Sequence, residues 1–144
     1  LGEALTESVE RMQEDAGRLR GLVAYTLQMI QREVPEVRVH GAGKEHLPGL
    51  LNIGIPGARG ESLVHLLDLK GICVSAASAC SAGADVPSHV LRAMGYGARE
   101  AMEALRISYG RENTQEEAQR VAEEIVCAVQ KIRALSGRET HAVI

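Results

Sequence analysis

The sequence predicts an α+β fold, a small mixed or antiparallel sheet covered by helices on one face, with a long N-terminal helix leading into it. Three observations predict it. Apolar side chains recur in steps of four and three through the first 34 residues, the stripe of one long helix. Short stretches at 37–40, 50–56 and 105–110 alternate inward and outward residues and are bounded by glycine or proline, as strands are. A second helical stripe closes the chain behind a capping box.

In the first helix the stripe is Leu5, Val9, Met12, Ala16, Leu19, Val23, Leu27, Ile30 and Val34, and Pro35 ends it. At 1.5 Å per residue such a helix runs about 45 Å, against about 37 Å for the diameter of a compact chain of this length. It should therefore overhang its own domain. Gly17 and Gly21 each cost about 1 kcal/mol inside a helix, which makes a kink the rival expectation.

Strands VRVH at 37–40 and LLNIGIP at 50–56 follow, the second with Leu51, Ile53 and Ile55 on one face. GESLVHLLDLKG at 60–71 is a helix stopped by Gly71. ICVS at 72–75 is strand-like and holds Cys73 between Ile72 and Val74 as a small buried hydrophobe. Asp85 and Pro87 open a helix through Met94, with Gly95 past its end, and a short helix is expected near 98–103. LRISYG at 105–110 turns Leu105, Ile107 and Tyr109 one way, Arg106 and Ser108 the other. Thr114 and Glu117 cap the closing helix, 114–136, which buries Val121, Ile125, Val129 and Ile132 and leaves Cys127 on its polar face. The whole reads as one domain: a bridging helix at 1–34, a sheet with inserted helices at 37–110 and a closing helix.

At 144 residues, 45% apolar and 24% charged, the chain is globular in composition. A net charge of -3 without a Lys/Arg cluster argues against nucleic acid or an acidic membrane surface as partner. No apolar run reaches bilayer length and the first twenty residues are charged throughout, so a cytoplasmic protein with no membrane partner is expected. Cys73, Cys80 and Cys127 match no zinc or CxxC spacing, and no metal is expected. His40, His46, His65 and His141 lack ligand spacing and are expected to be exposed or incidental, and Arg59 lacks a phosphate-loop pattern.

The most informative segment is VSAASACSAGADVPSHV at 74–90, where Cys80 stands among Ser, Ala and Gly. Such a loop, at about 75–86, has little side-chain surface to pin it and lets a large molecule approach the sulfur. At pH 7 a thiol of ordinary pKa is only about 3% thiolate, yet that fraction is strongly nucleophilic. A small residue in a flexible linker has the same composition, so composition alone leaves both readings open. His89 lies one turn into the following helix, but a loop that carries its cysteine away has no fixed base, and His89 reads as a surface residue.

SAASACSAG, then PSHVLRAMG, then LRISYGRENTQEE, preceded by LPGLLNIGIPG and GESLVHLLDLKGICVS, resembles the C-terminal part of cysteine desulfurases, over residues 1 to about 135. These are pyridoxal-phosphate enzymes of fold type I, related to class V aminotransferases, and the loop is similar to that of the group with a long active-site loop. Departures are small: Ala76 and Ala77 stand where Ser and Gly are usual, Ser81 where Thr is common, Val86 where an acidic residue often precedes the proline. The resemblance implies that Cys80 is the catalytic nucleophile, attacking the sulfur of L-cysteine, becoming a persulfide and leaving alanine. It implies that Arg106 binds the substrate carboxylate, as a planar guanidinium does through two parallel hydrogen bonds. Strand alternation alone also fits a surface arginine on an edge strand. A sulfur-acceptor or scaffold protein, a role in iron–sulfur assembly or another thiolation route, and a homodimer of the full-length enzyme are implied as well.

Lys44, Lys70 and Lys131 are the only lysines, and none has the Ser/Thr-His-Lys setting in which that family holds its cofactor. The expectation is an excised C-terminal small domain whose cofactor-binding large domain is absent, with no pyridoxal phosphate bound to the fragment and no activity of its own. The alternatives are a non-enzymatic persulfide carrier and a plain interaction domain.

Overall fold

Every second residue of β2 (Leu50–Gly54) and β4 (Ala104–Ser108) turns to the same side of the sheet. There Leu51, Ile53, Leu105 and Ile107 are buried, continued past the strand ends by Ile55 and Tyr109. Each branched side chain so buried contributes roughly 1.5–3 kcal/mol. The computed structural model describes residues 2–76 and 86–139; Cys80, Asp85 and His141 lie outside the described residues. The remaining elements are α1 (Gly2–Glu33), β1 (Arg38–Val39), α2 (Gly60–Asp68), β3 (Ser75–Ala76), α3 (His89–Ala93), α4 (Ala98–Met102) and α5 (Gln115–Glu139). The sheet is antiparallel in the order β1-β2-β4-β3, so the expected α+β architecture is the observed one.

Three helices cover the apolar face. Leu22 and Ile30 of α1, Leu63 and Leu67 of α2, and Ile125 and Val129 of α5 join the strand residues in one core. Ala118, Ala122 and Ala128 of α5 are buried too; small side chains there let the helix lie close to its neighbours. The capping box holds: Thr114 N–H donates to Glu117 Oε2 at 3.0 Å and Glu117 N–H to Thr114 Oγ1 at 3.2 Å. Among the described residues no helix is long and apolar enough to cross a membrane.

α1 runs unbroken through Gly17 and Gly21, so the kink does not occur. Its first half leaves the core, with Leu5 65%, Val9 61% and Met12 55% exposed. The projecting part is held from one side only: Arg111 pairs with Asp15 at 2.8 Å and Glu7 at 3.0 Å, and Arg18 donates to the carbonyls of Arg111 and Asn113.

Several local expectations shift. The turn after α2, closed by Gly71 at φ 71°, commits the Ile72 N–H to Leu67 O at 3.0 Å. The ladder therefore begins at Ser75, and 72–74 is not a strand. Cys73 is exposed, not buried: it falls in the alternation of Ser75, opposite to that of buried Ile72. The helix expected from Asp85 starts at His89, where the Ser88 hydroxyl accepts from Leu91 N–H; Pro87 favours an extended residue before it, which delays the helix.

One long-range bond ties strand to helix. Thr26 of α1 and Tyr109 share a buried hydroxyl–hydroxyl contact of 2.7 Å. Burial pushes the Tyr109 phenol above its ordinary 10.0, the Thr26 bond pulling the other way and the Glu117 charge adding to the rise. In the unfolded chain this tyrosine ionises at its ordinary value while the folded one keeps its proton, so its contribution is whole below about pH 10 and is lost as pH rises through the higher folded value. Melting temperature measured from pH 8 to 11 should fall with pH, and Tyr109→Phe should flatten the fall while costing about 1–3 kcal/mol at neutral pH by leaving Thr26 without its partner.

Candidate active site

The face of the sheet turned away from the long helices carries the polar residues of the same alternation. At one end it is covered: Leu91 of α3, Ala101 of α4 and Ala104 of β4 form a second small cluster with Tyr96 packed on it. The rest stays open as a cleft of about 380 Å³. Its walls include Val39, His40, Asn52, Leu91, Met94 and Arg106, with Lys44, Glu45 and His46 of the 41–47 loop at the rim.

Arg106 occupies the middle of that face. Its strand has β2 on one side and β3 on the other, and in register Arg106 lies opposite Asn52 and opposite Ser75. It is thus on a central strand, not an edge one. Its side chain is exposed and makes no hydrogen bond or ion pair with a described residue. Several other arginines are engaged: Arg38 pairs with Glu100, Arg99 with Glu103, Arg111 with Asp15 and Arg133 with Glu36. An unpaired guanidinium projecting from a rigid strand into a cleft is a binding group for an anion, and its planar fork suits a carboxylate.

His40 is buried, not exposed. It is only 8% exposed, with Nδ1 2.7 Å from Asn52 Oδ1 and its ring 4.5 Å from the Tyr96 ring. Tyr96 in turn accepts from Gly41 N–H at 3.2 Å. Gly54 leaves the space: a Cβ there would stand 2.9 Å from His40 Nε2. Neither the burial of His40 nor its link to Asn52 could be read without the strand register; the outward position of Asn52 could, because Leu51 and Ile53 point inward.

The other candidates stand apart. Cys80 lies outside the described residues; of the described residues on either side of it in the sequence, Ser75 lies opposite Arg106 in register and Ser88 lines the cleft. His89 and His65 are exposed on helices, as expected. Cys127 is exposed on α5, in the layer behind the sheet. Lys44 is at the exposed cleft rim, Lys70 pairs with Glu124 at 3.6 Å, and Lys131 is exposed on α5.

Comparison with known proteins agrees with this architecture. The chain is 38% identical over 138 residues to a cysteine desulfurase of Frankia sp. (strain EuIK1), covering 94% of this chain and 32% of that protein. To the cysteine desulfurase of Mus musculus it is 35% identical over 136 residues, covering 94% and 29%. An X-ray structure of a NifS-like protein from Rickettsia africae ESF-5 matches with a TM-score of 0.67 at 26% identity, over 85% of this chain and 30% of that one. The chain spans about a third of the length of the curated relatives it matches. Residues 4–121 match the family Aminotransferase class-V, and with that match running from α1 into α5 the chain belongs to the class-V aminotransferase family.

Proposed function

We propose that this chain is the C-terminal small domain of a cysteine desulfurase of the long-loop group, contributing Cys80 as the sulfur-accepting nucleophile and Arg106 as the carboxylate grip. The observation that carries the reading is Arg106, an exposed guanidinium without a partner among the described residues, at the centre of the open sheet face, opposite Ser75 in register on one side of the Cys80-bearing stretch and sharing its cleft with Ser88 on the other. Cys80 is four residue steps along the sequence from Ala76, and four steps of chain reach no more than about 14 Å.

In this reading Arg106 holds the α-carboxylate of L-cysteine and so fixes where its sulfur lies. The Cys80 thiolate attacks that sulfur; the sulfur–sulfur bond forms as the carbon–sulfur bond breaks, and the carbon keeps the electron pair and is protonated to the methyl group of alanine. The persulfide then passes to an acceptor or scaffold protein. Pyridoxal phosphate supplies the electron sink in desulfurases, but the lysines of this chain do not fit it: one is ion-paired and the other two are exposed, with none enclosed beside the cleft. Its cradle is assigned to the rest of the parent, a homodimer in this reading, whose large domain covers the exposed Leu5, Val9 and Met12 of α1. Exposed thiols at Cys73 and Cys127 suit the reducing cytoplasm.

Arg106→Ala in the full-length protein should raise KM for L-cysteine about 30- to 100-fold, the worth of a charge-assisted double hydrogen bond. Arg106→Lys should recover only part of this, since it keeps charge without the fork. Steady-state alanine production measures both, and an unchanged KM for the alanine variant removes Arg106 from this role.

A further inference from the structure

The row of residues across the open face holds a second donor that the carboxylate reading of Arg106 does not use. Asn52 lies directly opposite Arg106 on the neighbouring strand, where facing Cβ atoms are about 5 Å apart. Its amide oxygen faces His40 Nδ1 at 2.7 Å. Because an amide oxygen only accepts, Nδ1–H donates to it, and the Asn52 Nδ2 amine, which only donates, is left without a partner among the described residues. Arg106 cannot satisfy it, since a guanidinium has no acceptor.

We propose that Asn52 is a second carboxylate-binding residue, its Nδ2 amine donating to an oxygen of the same α-carboxylate that Arg106 pairs with, and that His40 is the positioning residue that keeps the amide turned this way. The inference rests on the assignment of Arg106 as the carboxylate grip. A carboxylate has four lone-pair sites, and a forked guanidinium takes two, so a further donor on the adjacent strand has a site to fill.

The lodging of His40 is built to hold this orientation. Gly54 has no side chain to displace the ring, Tyr96 packs against it, and the Tyr96 hydroxyl is anchored on Gly41 N–H. Nε2 is buried without a hydrogen-bond partner among the described residues, so the only polar attachment of this ring is the one to Asn52. Without Nδ1–H the amide could rotate and present its oxygen to the cleft, an acceptor facing an anion. The rim charges do not alter the sign at the site, because Glu45 stands beside Lys44 and His46 on the same loop.

The test uses the full-length, cofactor-loaded protein and separates KM from kcat. Asn52→Ser should raise KM for L-cysteine about tenfold, and Asn52→Asp, nearly the same shape but negatively charged, more than that, with kcat within twofold in both. The inhibition constant of the product L-alanine should rise by the same factors. His40→Phe should raise KM severalfold, and in combination with Asn52→Ser should raise it no further than Asn52→Ser alone, a coupling that loss of packing would not produce. Melting temperatures identify any variant that has lost its fold, and either Asn52 substitution decides the matter alone. If Arg106→Ala raises KM while Asn52→Asp leaves it within twofold, Asn52 is not a ligand and only this inference fails. If neither moves KM, the carboxylate assignment of the whole face fails with it.

Discussion

Replacing Cys80 by Ala in the full-length protein is expected to abolish release of alanine and sulfide from L-cysteine, by at least about a thousandfold, while the pyridoxal absorbance is unchanged. The size of the effect follows from the role: a nucleophile that forms the new bond has no substitute in a methyl group, whereas a binding residue removes only part of the affinity. Cys73 makes the experiment discriminating, because its thiol is exposed and only a few residues from the same stretch. Cys73→Ser should leave turnover within twofold. Loss of activity on changing Cys73, with activity retained on changing Cys80, would move the nucleophile and overturn the proposal.

A second large effect is expected from a residue with no chemistry. Gly60 opens α2 against the backbone of β4, so closely that a Cβ would collide with the Ala104 carbonyl oxygen and come within 3.3 Å of Ala76 Cβ. Backbone on a central strand cannot swing aside as a long side chain does, so Gly60→Ala should destabilise by about 3–5 kcal/mol. Gly21→Ala is the control: nothing lies within 4 Å of its added carbon, and the helix interior should gain about 1 kcal/mol. Urea unfolding measures both. Ala104 is two residues from Arg106 on one strand, so any Gly60→Ala protein that does fold should also bind L-cysteine less well. Equal stability of the two variants would mean that α2 does not rest on β4 as described.

What could be read from the sequence was local. The inward Leu51, Ile53, Leu105 and Ile107, the reciprocal Thr114–Glu117 cap and the overhang of α1 each depend on spacing within one element, and each is present. Cys73 was misjudged because a hydrogen bond from Ile72 back to α2 postpones the strand, a matter of how a turn closes. His40 was misjudged because its burial is made by Tyr96 and Gly54, neither of them near it along the chain. The candidate site divides in the same way. Arg106 is a candidate by its motif alone, but its central position, and the presence of Asn52 at its side, require knowing that β4 inserts between β2 and β3.

That insertion sets an order of assembly. The strand that completes the middle of the sheet is the last of the four to be synthesised, so a nascent chain that has made β2 and β3 still exposes on each an unsatisfied edge. Contacts between elements so far apart along the chain form slowly. During that interval the β1–β2 pair and the still unpaired Ser75–Ala76 segment are open to pairing with another polypeptide, and a ribosome-bound chain ending before Ala104 should be the species that a chaperone holds.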